Sequence, residues 1–252
     1  MIGDAVADLR DGKFILLYDF ADREGETDFA IRSDMVTPAH IRQMRKDGGG
    51  LICTAIHPVA AERLGLPFAR DVFAGSGICE KTGDIPYDRK NNSSFSLWVN
   101  HRDTFTGVTD RDRALTVNAI ADHVRRAMDG EEIRFHDAFR SPGHMALLRA
   151  ADGLLDVRKG QTELSIVLAE MAGITPSVTI CEMLDDESGY ARTRDDARRY
   201  AREHGMVFIG GSEVMEHRKR NVPVPDPVHG TGTAPAAGTA PLAARAKGVL
   251  HD

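Results

Sequence analysis

The chain has 252 residues, 42% of them hydrophobic, which is enough for one sizeable domain with a substantial core or for two small ones. Its formal net charge of −6 argues against nonspecific nucleic-acid binding, which depends on clustered excess Lys and Arg, yet leaves room for a local basic pocket. The three cysteines, Cys53, Cys79 and Cys181, are too scattered for a zinc ribbon or a disulfide framework and point to a reduced, cytoplasmic setting. Met1 to Asp11 carries three aspartates and no long apolar run, so it reads as neither signal peptide nor membrane anchor. No apolar run approaches the ~18 residues of a membrane span.

In chain order, Phe14 to Tyr18 reads as a buried strand, followed by a dense acidic segment from Asp19 to Asp28. Thr37-Pro38 supplies an N-cap and a first helical residue for a helix reaching Lys46, which Gly48-Gly49-Gly50 stops. Leu51 to Ile56 reads as a second buried strand, Gly75 to Asn92 as a loop or short hairpin, and Phe95 to Val99 as a strand. A helix from Asp110 to Met128 would place Ala114, Val117, Ile120 and Val124 on one face. Thr162 to Met171 reads as a helix, Val178 to Met183 as a strand, and Thr193 to His204 as a helix. Val207 to Ile209 follows as a strand and Gly211 to Lys219 as a last helix. Strands and helices interleave at uneven spacing. That predicts an α+β fold, a mixed twisted sheet flanked by helices in three layers, rather than a regular doubly wound sheet. Beyond Arg220 the composition turns to Pro, Ala, Gly and Thr, so residues 1–221 are expected to form a single catalytic domain and 222–252 a mobile tail.

Three groups of residues carry chemical information. In Asp22-Arg23-Glu24-Gly25-Glu26-Thr27-Asp28, four acids alternate with other residues, a pattern that suits a hard divalent cation; a solvated acidic loop is the alternative. Arg158-Lys159-Gly160-Gln161-Thr162-Glu163 leads into an apolar helix that Thr162 can cap. A helix N-terminus flanked by basic side chains is how a phosphate site is built, although an ordinary capped helix reads the same way. The third group is dispersed. Ser141-Pro142-Gly143-His144 puts a histidine beside a turn, and Cys53 and Glu182 sit at strand ends; read singly, such residues are structural more often than functional.

Taken together and in order, these segments resemble the 3,4-dihydroxy-2-butanone 4-phosphate synthase family of riboflavin biosynthesis, in its monofunctional, archaeal-like form. The acidic segment is similar to the family's DxREGETD loop. Val99 to Gly107 with Asp112 to Thr116 is similar to its central motif, Phe139 to His144 to its PGH segment, Arg158 to Glu163 to its RxGHTE motif, and Ile180 to Met183 to its CEM segment. The resemblance implies a magnesium-dependent lyase, with manganese as the alternative ion. It would convert D-ribulose 5-phosphate to 3,4-dihydroxy-2-butanone 4-phosphate and formate. The enzyme would be a cytoplasmic homodimer with its site near the subunit interface and no nucleic-acid or membrane partner. It implies His144, Glu182, Cys53 and Asp28 as catalytic residues, with His144 and Glu182 the acid–base pair. It further implies Arg23, Asp28, Thr106, Arg158, Thr162 and Glu182 as substrate contacts, Arg158 and Thr162 on the phosphate. Glu24 would hold the metal with the residue at 161. Two positions depart from the family pattern: Gln161 stands where the family has histidine, and Ala146 where proline is expected near His144. They keep two other readings open, a diverged paralogue with a partial or altered reaction on a pentulose phosphate, and a sugar-phosphate-binding protein without catalysis.

Overall fold

The computed structural model describes residues 2–77, 85–88 and 90–221. The tail expected from residue 222 lies outside them, as does part of the loop expected over Gly75 to Asn92. In chain order the elements are α1 (Ile2–Arg10), β1 (Ile15–Tyr18), β2 (Thr27–Arg32), α2 (Pro38–Asp47), β3 (Cys53–Ile56), α3 (Pro58–Arg63), α4 (Ala69–Gly75), β4 (Phe95–His101), α5 (Asp110–Met128), α6 (Phe135–Ala138), β5 (Phe139–Arg149), α7 (Gln161–Ala172), β6 (Ser177–Glu182), α8 (Arg194–Glu203), β7 (Val207–Gly210) and α9 (Gly211–Asn221). The strands form one sheet in the order β4-β5-β3-β6-β2-β1-β7. It is mixed, as the uneven spacing predicts: β1 runs parallel to β7 and β3 parallel to β5, while the other neighbours are antiparallel.

Period-two alternation assigns each strand residue to a layer. Ile15, Leu17, Ala30, Cys53, Ala55, Ala146, Val178 and Ile180 share one apolar cluster with α1 and α7. Leu16, Phe29, Ile31, Met145 and Cys181 face the other way, against α2, α5 and α8. Helix α7 is buried at ten of its twelve residues, so it forms an inner layer rather than an amphipathic cover.

The structure departs from the sequence expectations at six places, each with a local cause. The amino-terminal segment is helical: α1 buries Ala5 and Leu9, a stripe too narrow to stand out among its aspartates. Strand β2 was hidden because its first residues complete the acidic run. Cys53 opens β3 rather than closing it, since Leu51 and Ile52 precede the strand. The turn expected at Ser141 to His144 is instead part of the eleven-residue β5. Pro142 is tolerated there because β3 pairs with β5 only from Ala146 onward, so that flank of β5 requires no ladder N–H. For the same reason Ala146 is an interior strand position, opposite Cys53, and not a loop position under His144. Finally, Thr162 is not the cap of α7. The cap residue is Gly160, whose N–H donates to the Glu163 carboxylate at 3.2 Å.

Candidate active site

The acidic segment folds around a buried aspartate. Asp19, 1% exposed, lies just past β1, and its carboxylate accepts the backbone N–H groups of Glu24 (3.1 Å), Gly25 (2.9 Å) and Glu26 (3.1 Å). Such convergence needs a tight reversal, which Gly25 supplies with φ +71°. The loop is therefore not a solvated charge run. Arg23 closes it from the other side: its Nη1 lies 3.1 Å from Asp19 Oδ2, 2.9 Å from Glu24 Oε1 and 3.4 Å from Gln161 Oε1.

The sheet register supplies the rest. Asp28 at the start of β2 stands opposite Glu182 at the end of β6, and Ile180, on the same face of β6, stands opposite Cys53. These ends line a cavity of about 290 Å³ together with Glu24, Glu26, Arg158, Gln161, Thr162, Tyr87, Ser94 and Leu148, among others. The register thus brings seven of the expected residues together: Glu24, Asp28, Cys53, Arg158, Gln161, Thr162 and Glu182. Arg23 touches two of them from behind.

Crowded carboxylates dominate the electrostatics. Asp28 is 1% exposed and its Oδ1 has no hydrogen-bond partner. Burial, then the charges of Glu182, Glu24 and Glu26, hold its carboxyl well above the usual range. Glu182 is raised by burial and by Glu24, and Glu26 by burial and then by Glu24 and Glu182. Asp28 and Glu182 stand opposite each other and both are raised, so the pair resists carrying two negative charges at once. A protonated and an ionised carboxyl side by side form an acid–base couple. Burial and then the charge of Glu182 also push the Cys53 thiol well up, which favours its neutral form at the cavity wall. Burial and then Glu24 push Tyr87 up to about 12.

At the start of α7, Arg158 Nη1 donates to Glu163 Oε2 at 2.7 Å, and Glu163 Oε1 accepts the N–H of Ala151 at 2.9 Å. Both partners are buried. The ion pair anchors the guanidinium at the cavity wall beside the N–H groups of the first helical turn.

Two expected residues are elsewhere. Thr106 is exposed, with its hydroxyl 3.4 Å from Asp112 Oδ2. His144 is exposed on β5, and Asn100 holds it: Asn100 Oδ1 accepts the His144 N–H at 2.9 Å, and Nδ2 faces ring Nδ1 at 3.1 Å. Asn100 Oδ1 also lies 3.3 Å from ring Nδ1, so Asn100 fixes the position of the ring in either tautomer. Two glycines make the close approach possible. A Cβ on Gly143 would lie 2.0 Å from the Val99 carbonyl carbon, and one on Gly107 2.0 Å from Asn100 Nδ2. The sequence reading missed Asp19, Tyr87, Ser94 and Asn100. Asp19, directly after an apolar strand and before the acidic run, carried a readable signal; Ser94 carried none.

The donor set fits a hard cation. Three side-chain oxygens, from Asp19, Glu24 and the distant Gln161, converge on one positively charged nitrogen. The Gln161 amide turns its oxygen toward that point while Nε2 lies 3.5 Å from the Glu26 carbonyl. Magnesium needs only one or two such protein oxygens, its other positions going to water or substrate. Among the described residues no group of three or more His, Cys, Asp or Glu side chains is arranged to hold a metal, so any such site is this sparse kind.

Fold and pocket together define an enzyme. The family model described as 3,4-dihydroxy-2-butanone 4-phosphate synthase matches residues 3–217. The protein of that name in Archaeoglobus fulgidus is 56% identical over 218 residues, covering 84% of this chain and 91% of that one. Its namesake in Methanosarcina acetivorans is 51% identical over 223 residues, covering 85% and 90%. A solved 3,4-dihydroxy-2-butanone 4-phosphate synthase in complex with two magnesium ions superposes with a TM-score of 0.73 at 25% identity, over 87% of this chain and 97% of that one. The chain belongs to the 3,4-dihydroxy-2-butanone 4-phosphate synthase family, lyases of riboflavin biosynthesis. Among the described residues no helix is long and apolar enough to cross a membrane.

Proposed function

We propose that the chain converts D-ribulose 5-phosphate to 3,4-dihydroxy-2-butanone 4-phosphate and formate, as a cytoplasmic homodimer whose catalysis resides in residues 1–221. The observation that carries this reading is the Asp28–Glu182 couple facing the Glu24–Gln161 oxygens across one cavity. Enolisation needs a base beside an acidified C–H, and Glu182 is the carboxylate able to accept that proton. Asp28, still protonated, donates a hydrogen bond to a sugar oxygen, and Arg23 holds the sugar from behind the loop. Arg158 and Thr162, with the first N–H groups of α7, hold the phosphate. Cys53 packs against the substrate as a neutral thiol.

Glu24 and Gln161 would hold magnesium, or manganese in its place. When bound, the ion would polarise the substrate carbonyl. Neither His144 nor Thr106 lines the cavity within one chain, and both are exposed. The homodimer accounts for this: the partner subunit's His144 presents its ring to the cavity as the acid partner of Glu182, and the partner subunit's Thr106 contacts the substrate.

The test is to incubate the protein with ribulose 5-phosphate and magnesium and to quantify formate and the four-carbon product. The expected result is equimolar release of both, lost with a chelator and restored by the ion. Substrate consumption without formate would sink this reading in favour of an altered reaction. Binding without consumption would leave a sugar-phosphate-binding protein.

A further inference from the structure

Tyr87 lines the acidic cavity, yet it is neither a substrate contact, a metal ligand, an acid nor a base of the proposed reaction. It meets two consecutive residues of the acidic loop in two different ways. Its ring lies over the Arg23 guanidinium, with Cζ 5.3 Å from the ring centroid. Its hydroxyl is hydrogen-bonded to the Glu24 carboxylate. The phenol is the donor in that contact, since burial and then the charge of Glu24 push it up to about 12. The residues that follow brace this arrangement. Asp88 Oδ2 lies 3.8 Å from Arg23 Nε, and Asn91 Nδ2 donates to Asp88 Oδ1 at 3.0 Å and to the Val157 carbonyl at 3.1 Å.

Both contacts meet a need of the loop. The Arg23 side chain is 6% exposed; its Nη1 faces Asp19, Glu24 and Gln161, while Nε and Nη2 are buried without a hydrogen-bond acceptor. The negative face of an aromatic ring attracts a guanidinium, the more so when water is excluded. On Glu24, Arg23 holds Oε1 at 2.9 Å, and a carboxylate held by one oxygen can still turn about its last bond. A second donor, the Tyr87 hydroxyl, fixes its plane. Hydrogen bonds of this kind orient metal ligands, and losing one typically costs about 10–100-fold in metal affinity or activity. We propose that Tyr87 is a positioning residue of the cation site: its hydroxyl sets the carboxylate plane of Glu24 and its ring holds Arg23 beside it, without touching the ion. This rests on the reading that Glu24 holds magnesium. Tyr87 then governs how tightly the ion is held and not how fast the bound substrate reacts.

Manganese is the probe, because the free ion can be counted by electron paramagnetic resonance over the full chain with no substrate present. Tyr87→Phe keeps the ring and removes the hydroxyl, and is expected to raise the manganese dissociation constant about tenfold. Tyr87→Leu removes the ring as well and is expected to raise it a few-fold further. Circular dichroism checks the fold of the leucine variant, and Tyr87→Phe decides alone if that variant misfolds. In turnover, Tyr87→Phe should need more metal, while its kcat at saturating metal stays within about twofold of the unaltered chain. A purely structural tyrosine would lower the unfolding midpoint and leave the dissociation constant alone. That result, or a kcat that stays low at saturating metal, overturns the proposal. Glu24→Gln separates the two readings. Manganese binding that weakens in Glu24→Gln but not in Tyr87→Phe sinks the role of Tyr87 and leaves Glu24 a ligand. Binding indifferent to Glu24→Gln sinks the ligand reading, and the role of Tyr87 with it.

Discussion

Two buried carboxylates, about as inaccessible as each other, have opposite surroundings. Glu163 is 0% exposed and fully matched, with a guanidinium and two backbone N–H groups on its oxygens. Asp28 is 1% exposed and has one oxygen without a partner and other carboxylates around it. The first arrangement holds a helix start in place. The second opposes folding, and the rest of the sheet must overcome it. Burial alone therefore does not separate architecture from chemistry; what separates them is whether the buried charge is answered from within the chain.

The sharpest test of the unanswered side is Glu182→Gln. It removes the proposed base while keeping its shape, and kcat/KM for ribulose 5-phosphate should fall about 10²–10⁴-fold. The unfolding midpoint should stay level or rise; a parallel loss of stability would put Glu182 on the architectural side. Glu163→Gln tests the answered side and should do the reverse. It leaves the Arg158 guanidinium buried and unpaired, a defect of about 3–5 kcal/mol that denaturant titration would measure. A change below about 1 kcal/mol would erase the contrast.

The pH dependence of stability gives a finer cut. Asp28 has a raised pKa in the fold, so its contribution is fully present below its ordinary value of 3.8 and is lost as pH rises through the raised one. Asp28→Asn cannot ionise. Relative to the unaltered chain it should gain about 1–3 kcal/mol toward neutral pH and little in acid, while losing activity. Urea unfolding at several pH values between about 4 and 8 would check both the sign and the window. The smallest effect is expected from Gln161→His. An imidazole is a stronger donor than an amide carbonyl toward many divalent ions, and a few-fold drop in the magnesium needed for half-maximal turnover should follow. An unchanged metal requirement would remove residue 161 from the proposed ligands.

Much of this was legible in the sequence, unevenly and for physical reasons. Buried strands such as Ile15–Tyr18 and Ser177–Glu182 declare themselves as short apolar runs, and α5 declares itself by its 3.6-residue period. Strand β2 did not, because half of the signal from Thr27 and Asp28 belongs to the pocket. Strand β5 did not, because Pro142 and Gly143 are turn residues everywhere except beside an unpaired strand flank. The pocket residues came as ordered motifs, and seven of them converge in space. The separation of His144 and Thr106 from that pocket could not be read in advance, since it depends on strand order and on which faces remain uncovered. Asn100 was equally silent, because its role emerges only when β4 and β5 lie side by side.

The contact at Asn100 also bears on how the chain tolerates replacement. Gly107 and Gly143 press on Asn100 and the adjoining backbone from two segments, and even one added carbon at either would overlap atoms of β4. The spacing of the two strands there is thus gauged by missing atoms. A bulky core residue can be exchanged for one of similar volume with modest repacking, but nothing is smaller than hydrogen. At these two positions the permitted alphabet shrinks to a single letter. The position of the His144 ring is fixed by what the chain omits as firmly as by what it contains.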